Sequence, residues 1–72
     1  MGMEHIHKSS FCERELTQLL RVTGSDVNNA RYEEACGEEY VIVNFKNGFS
    51  RRVCVTGDSL SALTRDVLKV LN

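Results

Sequence analysis

The stretch that decides the fold is residues 40–56, which reads YVIVNFKNGFSRRVCVT. Two runs rich in valine, isoleucine, phenylalanine and tyrosine flank Asn47-Gly48, the dipeptide most typical of a tight β-hairpin turn. The sequence therefore predicts two antiparallel strands joined at this point. How the two strands face each other depends on the length of the loop between them.

A two-residue loop would pair Lys46 with Phe49 and would place the apolar residues of the two strands on opposite faces. A three-residue loop of Lys46, Asn47 and a left-handed Gly48 pairs Phe45 with Phe49 instead, with a bulge. Burying each apolar side chain contributes roughly 1.5–3 kcal/mol, so burial favours the three-residue loop. The residues that then share the core face are Val41, Val43, Phe45, Phe49, Val53 and Val55, with Arg51 as a misfit.

The other face of the hairpin is mixed in character. It carries Tyr40, Ile42, Asn44, Ser50, Arg52 and Cys54. Tyr40 and Ile42 form a small apolar area that is suited to a partner. We therefore predict partner binding at Tyr40, Ile42, Arg52 and Cys54, against the simpler interpretation of scattered apolar surface.

A helix is predicted on each side of the hairpin. Ser10 and Glu13 match a capping box, and the first helix is expected to run from Ser10 to about Val22. Its apolar stripe is Cys12, Leu16, Leu19 and Leu20. Asp58 or Ser59 can cap the second helix. Its apolar stripe is Leu60, Leu63, Val67, Val70 and Leu71.

Residues 26–36 fit either a strand or a short helix that Ser25 would cap. We favour a strand, because a lone two-stranded hairpin is rarely stable. A tight turn at Gly37-Glu38 would then bring Ala30, Tyr32 and Glu34 onto the core face. The predicted fold is α+β: a helix, a three-stranded antiparallel meander and a helix, with both helices on one face of the sheet. Residues 10–72 form one domain, and residues 1–9 are expected to be a disordered tail.

Composition sets further limits on function. The chain has 72 residues and a net charge of −1, which fits one small globular domain. It shows neither a membrane-spanning segment nor a signal peptide. Its three cysteines, at positions 12, 36 and 54, are too few and too widely spaced for a disulfide framework. We therefore expect a reducing, cytoplasmic environment.

No catalytic or cofactor motif is present, and the sequence predicts neither an enzyme nor a cofactor. A cysteine nucleophile would have to use His5 or His7, which lie in the expected tail. These two histidines form an H-x-H pair without a third metal ligand, so no metal site is predicted. The carboxylates near the first turn fit a solvated hairpin tip better than a cation site. They are Glu33, Glu34, Glu38 and Glu39.

The element order across residues 10–72 resembles the double-stranded-RNA-binding fold. Members of that family contact RNA with basic residues at the start of the last helix. The matching positions here are Asp58, Ser59, Leu60 and Ser61, which include an acid and no base. The resemblance therefore implies a fold, and the RNA-contacting residues of the family do not carry over.

A second resemblance covers the run YVIVNFKNGFSRRVCVTGDSLSALTRDVLKVL. It looks like small uncharacterised proteins of Gram-positive gut bacteria and their mobile elements. They share an NG hairpin, a V-x-V-T-x-D-S helix start and a D-V-L/I-K ending. This resemblance implies a fold and a host, and it names no activity.

Two hypotheses on function follow. The first is a small non-enzymatic interaction or regulatory module that docks a protein or self-associates through the outer sheet face or an edge strand. The second is a nucleic-acid-binding protein of mobile-element origin that uses Lys46, Arg51 and Arg52. We favour the first, because nucleic-acid affinity depends on clustered positive charge and this chain is nearly neutral.

Overall fold

The computed structural model describes residues 8–24 and 26–71. Helix α1 covers residues 8–23 and includes a π-helical turn at Cys12–Leu16 and an α-helical segment at Thr17–Thr23. The strands are β1 (Val27–Ala35), β2 (Glu38–Phe45) and β3 (Ser50–Cys54), and helix α2 is Leu60–Leu71. The strands form one antiparallel sheet in the order β1-β2-β3. The predicted α+β class and its element order are confirmed.

The predicted loop between β2 and β3 is confirmed. The Phe45 amide donates to the Phe49 carbonyl at 2.8 Å, and Gly48 has a φ of 93°. Val41 therefore pairs with Val53. This register places the valines of both strands on the face that both helices cover.

A single core lies between the sheet and the two helices. Valines of β2 and β3 pack there against leucines of both helices, and α1 also contributes Cys12. The fully or almost fully buried members are Cys12, Leu16, Leu20, Val27, Ala30, Val41, Val43, Val53, Val55, Leu63 and Val67.

Phe49 departs from the predicted core. Its side chain is 73% exposed, whereas its partner Phe45 packs partly on the core. Phe49 lies at the hairpin tip, where residues 46–52 are all exposed. The backbone register was predictable, but how far the core extends along the sheet was not.

Residues 27–35 form a strand, as favoured from the sequence. The turn that follows it is Cys36-Gly37, with φ values of 55° and 79°, one residue earlier than predicted. Moving the turn by one residue shifts the register by two, which leaves every side chain on its predicted face. Tyr32 accordingly pairs with Val41, and Glu34 pairs with Glu39.

Helix α1 begins earlier than predicted. Residues 8–11 are already helical, so Ser10 lies inside the helix and the predicted capping box is wrong. Lys8 and Ser9, which the sequence placed in the tail, belong to this helix, and Lys8 is buried. Residues 1–7, including the H-x-H pair, lie outside the described residues, so their prediction stays a prediction.

The π-helical turn changes which residues of α1 face the sheet. The wide turn adds a residue, so Thr17 is buried where Leu19 was expected, and Leu19 is 39% exposed. The Thr17 hydroxyl donates to the carbonyl of Cys12 at 2.7 Å and accepts from the Ala30 amide at 2.9 Å. Thr17 thereby satisfies backbone polar groups on the outer edge of β1.

Helix α2 starts at Leu60, and Ser59 is its cap. The Ser59 hydroxyl accepts from the Ala62 amide at 3.2 Å. Leu63 and Val67 are fully buried, whereas Leu60 is 37% exposed and is only a marginal part of the predicted stripe. Val70 and Leu71 pack partly on the core.

Candidate functional site

The outer face of the sheet brings the four predicted partner-binding residues together. Tyr40 lies directly opposite Cys54 on β3, and Ile42 lies directly opposite Arg52. Because residues alternate between faces, all four point away from the helices. Tyr40 and Ile42 are half-buried, and Arg52 and Cys54 are exposed.

Arg52 packs on the aromatic ring of Tyr40. The guanidinium carbon lies 4.7 Å from the ring centroid, within the range of a cation–π contact. The two residues are diagonal neighbours on adjacent strands. The Tyr40 ring and the Arg52 guanidinium thus lie together in the middle of the outer face.

The third strand adds charges to this face. Arg31 pairs with Ile42, and Glu33 pairs with Tyr40. The face therefore carries two successive rows across the sheet. The positive row is Arg31–Ile42–Arg52, and the negative row is Glu33–Tyr40–Cys54.

The two ends of the outer face are polar. Near the NG turn, the Asn44 side-chain amide donates to the Asn29 side-chain carbonyl at 2.8 Å. At the opposite end, the Thr56 hydroxyl donates to Glu38 at 3.0 Å. The half-buried apolar side chains are thus confined to the middle of the face, with charges beside them.

The predicted nucleic-acid residues do not form one patch. Lys46 lies in the hairpin loop, Arg51 pairs with Val43 on the helix-covered face, and Arg52 lies on the outer face. All three are exposed. A phosphate backbone that contacts Arg52 along the outer face would therefore not meet Arg51.

A polar network that the sequence did not indicate lies at the other end of the core. The Lys8 ammonium pairs with the Glu39 carboxylate at 2.7 Å, with side-chain exposures of 10% and 12%. The Tyr32 hydroxyl donates to the same carboxylate at 2.5 Å. The Gly57 amide donates to its other oxygen at 2.8 Å. Glu39 thus joins α1, β1 and the turn before α2.

Three groups at this end of the core have a shifted pKa: Glu39, Tyr32 and Cys12. Burial raises the pKa of Glu39, but hydrogen bonds from Lys8, Tyr32 and Gly57 outweigh it and lower the pKa from 4.5 to about 2. Burial and the bond to Glu39 raise the pKa of Tyr32. Burial raises the pKa of Cys12 to about 12, with a further contribution from a nearby carboxylate. A thiol with so high a pKa is no nucleophile at neutral pH.

Asp58 and Asp66 extend this polar region along α2. The pKa of Asp58 is raised, first by a hydrogen bond with Asp66, then by burial and by the Asp66 charge. Lys8 opposes the shift and Glu39 adds to it. One oxygen of Asp58 is buried without a hydrogen-bond partner. The Asp58 carboxyl is therefore protonated more readily than an exposed aspartate, because its raised pKa favours the neutral form.

The acidic cluster of the first turn is divided between the two sheet faces. Glu39 and Glu34 point to the helix side, and Glu33 and Glu38 point to the outer side. Across residues 8–24 and 26–71, no group of three or more histidine, cysteine or acidic side chains could hold a metal. The same residues contain no helix long and apolar enough to cross a bilayer.

Comparison with known proteins yields no relative. The chain matches no family profile, no curated protein and no solved structure. The surfaces of the domain itself are therefore the evidence for its function.

Proposed function

We propose that this domain is a small non-enzymatic interaction module that self-associates through the outer face of its sheet. The observation that supports it most is the central pair of half-buried side chains, Tyr40 and Ile42, on the face opposite the helices. In an open sheet with helices on one side, the second face is the surface free to meet another sheet. The Arg52 guanidinium packs on the Tyr40 ring in the same part of this face, which favours one orientation of the ring.

The outer face is a better candidate surface for self-association than either edge of the sheet. On the β1 edge, the hydroxyl of Thr17 already bonds the Ala30 amide. On the β3 edge, pairing two copies about Arg52 would place like charges directly opposite each other, which is destabilising. Arg51 on the same strand adds a charge on the core side, a common protection against edge pairing.

The interface is small, so we expect weak association. Three strands about 4.8 Å apart give a sheet roughly 14 Å wide, and the longest strand, of 9 residues at about 3.3 Å each, is roughly 30 Å long. The face therefore offers at most about 400 Å², roughly half of the 800 Å² per partner of a standard interface. We expect a dissociation constant in the micromolar range or above. Such a module would respond to its own concentration. The three free thiols support a reducing, cytoplasmic setting for it.

The test is a concentration series by sedimentation velocity on the wild type and on Tyr40→Glu. We expect a concentration-dependent dimer for the wild type and a monomer for the variant. Val22→Glu is the matched control, because Val22 is an apolar residue that is 84% exposed on α1, away from the sheet. A wild type that stays monomeric at millimolar concentration refutes the proposal.

A second candidate function is binding of single-stranded nucleic acid on the same face. It is favoured by the Tyr40–Arg52 pair, since an aromatic ring beside a guanidinium can stack on a base. A mobility shift at low salt that disappears in Arg52→Ala, but not in Arg65→Ala on α2, would support this candidate. No shift with RNA or DNA removes it.

A further inference from the structure

The two charged rows of the outer face determine how two copies can meet. The inference rests on the proposed self-association and specifies its geometry. Arg31 and Arg52 flank Ile42 in one row, and Glu33 flanks Tyr40 in the next row, two residues along each strand. Closed dimers have two-fold symmetry. Two sheets that pack face to face in the aligned mode lie about 10 Å apart, and their strands run either roughly parallel or roughly antiparallel to each other.

Two such arrangements are possible for this face, and charge separates them. If the two-fold axis runs along the strands, β1 faces the partner's β3. Arg31 then faces the partner's Arg52, and this repulsive contact occurs twice. If the axis runs across the strands, each strand faces its own copy in the opposite direction.

With the axis across the strands and between the two rows, the contacts are complementary. Arg31 faces the partner's Glu33, and Glu33 faces the partner's Arg31. In the centre, Ile42 faces the partner's Tyr40, and this contact also occurs twice. Arg52 faces the uncharged Cys54 of the partner's β3. One axis position thus satisfies the charges of β1 and joins the apolar centres.

We propose that the occupant of the outer face is a second copy of this chain, packed with its strands antiparallel, so that Arg31 of each copy pairs with Glu33 of the other. Both side chains are exposed in the single chain, so they are available for this contact. The pairing selects one orientation, because electrostatic complementarity sets register in weak interfaces.

The test is a charge exchange between the two positions. In Arg31→Glu or Glu33→Arg alone, both contacts of the homodimer become repulsive, and the dissociation constant should rise roughly tenfold or more. An equimolar mixture of the two variants should restore association, because each opposed pair is then of opposite charge. The double variant, with both changes in one chain, should also associate like the wild type.

Sedimentation velocity, with a fluorophore on the N-terminus of one component, measures the dissociation constant of each combination. Arg14→Glu and Glu15→Arg, on the exposed side of α1, are the matched controls and should leave the dissociation constant unchanged. Far-ultraviolet circular dichroism confirms that each variant is folded.

The outcomes separate the two proposals. A wild type that dimerises, loses its dimer in Tyr40→Glu and is not restored by mixing Arg31→Glu with Glu33→Arg overturns this geometry and leaves the outer face as the interface. If Arg31→Glu alone tightens association, the axis runs along the strands and the geometry is wrong. A dimer that survives Tyr40→Glu places the interface elsewhere and overturns both.

Discussion

The Glu39 carboxylate makes a strong, pH-dependent contribution to the stability of the fold, and the substitution Glu39→Gln allows this contribution to be measured. Glu39→Gln keeps the shape of the side chain and removes its charge. It leaves the buried Lys8 ammonium without its counter-ion, and that ammonium lies 2.7 Å from the carboxylate in the native protein. We expect a lower free energy of unfolding at neutral pH, because an unpaired buried charge is costly.

The size of the loss follows from the pKa of Glu39. Folding lowers this pKa from 4.5 to about 2, a change of about 2.5 units. At 1.36 kcal/mol per unit, the ionised carboxylate stabilises the fold by about 3 kcal/mol. Because the folded pKa is the lower one, this stability is fully present above pH 4.5. It is lost as the pH falls towards 2, where the wild type and the variant should converge.

The assay is urea unfolding of the wild type and of Glu39→Gln between pH 7 and pH 2, with a fixed concentration of stabilising osmolyte so that the folded state persists in acid. Glu15→Gln is the matched control, because Glu15 is exposed on α1. It should change the free energy of unfolding by less than about 0.5 kcal/mol. A Glu39→Gln difference that stays constant with pH, or that is below about 1 kcal/mol at pH 7, refutes the reasoning.

Three further predictions concern other parts of the fold. Thr17→Val removes the hydroxyl that bonds the Ala30 backbone and should lower the free energy of unfolding in urea by about 1–3 kcal/mol, whereas Thr23→Val, at the exposed end of α1, should lower it clearly less. Cys36→Asn should stabilise the protein by up to about 1 kcal/mol in the same assay, because Cys36 has a positive φ of 55° that asparagine adopts more readily. The Cys12 thiol, with its pKa raised to about 12, should resist iodoacetamide at pH 8, so mass spectrometry should show two fast labels and a third only in urea.

The hairpin was predictable because its signals are local. The turn dipeptide Asn47-Gly48 and the alternation of valines act over a few residues, and burial then selects the register. The same logic located the outer face with Tyr40 and Ile42. The strand over residues 27–35 was also predictable, since the central strand needed a second neighbour.

The polar network was not predictable because its members are far apart in sequence. Lys8 and Glu39 are 31 residues apart, and each looks like an ordinary surface charge on its own. The spacing of the apolar residues fits a regular α-helix, so it did not indicate the π-helical turn at Cys12–Leu16, which shifts the buried stripe of α1 from Leu19 to Thr17. The ends of helices are defined only to within one or two residues. The capping-box pattern at Ser10 therefore predicted a helix start two residues later than the structure shows.

Adjacent residues of β2 should separate stability from association. Glu39 points to the helix side, where it holds the polar network, and Tyr40 points to the outer face. Tyr40→Glu should lose self-association while costing about 1 kcal/mol or less in stability, the value of its contact with Arg52. Glu39→Gln should lose about 3 kcal/mol while its folded fraction associates as tightly as the wild type. Urea unfolding and sedimentation on the same two variants measure both quantities. If either substitution changes the free energy of unfolding and the free energy of association by similar amounts, the two faces of the sheet are coupled. The outer face is then not an independent binding surface.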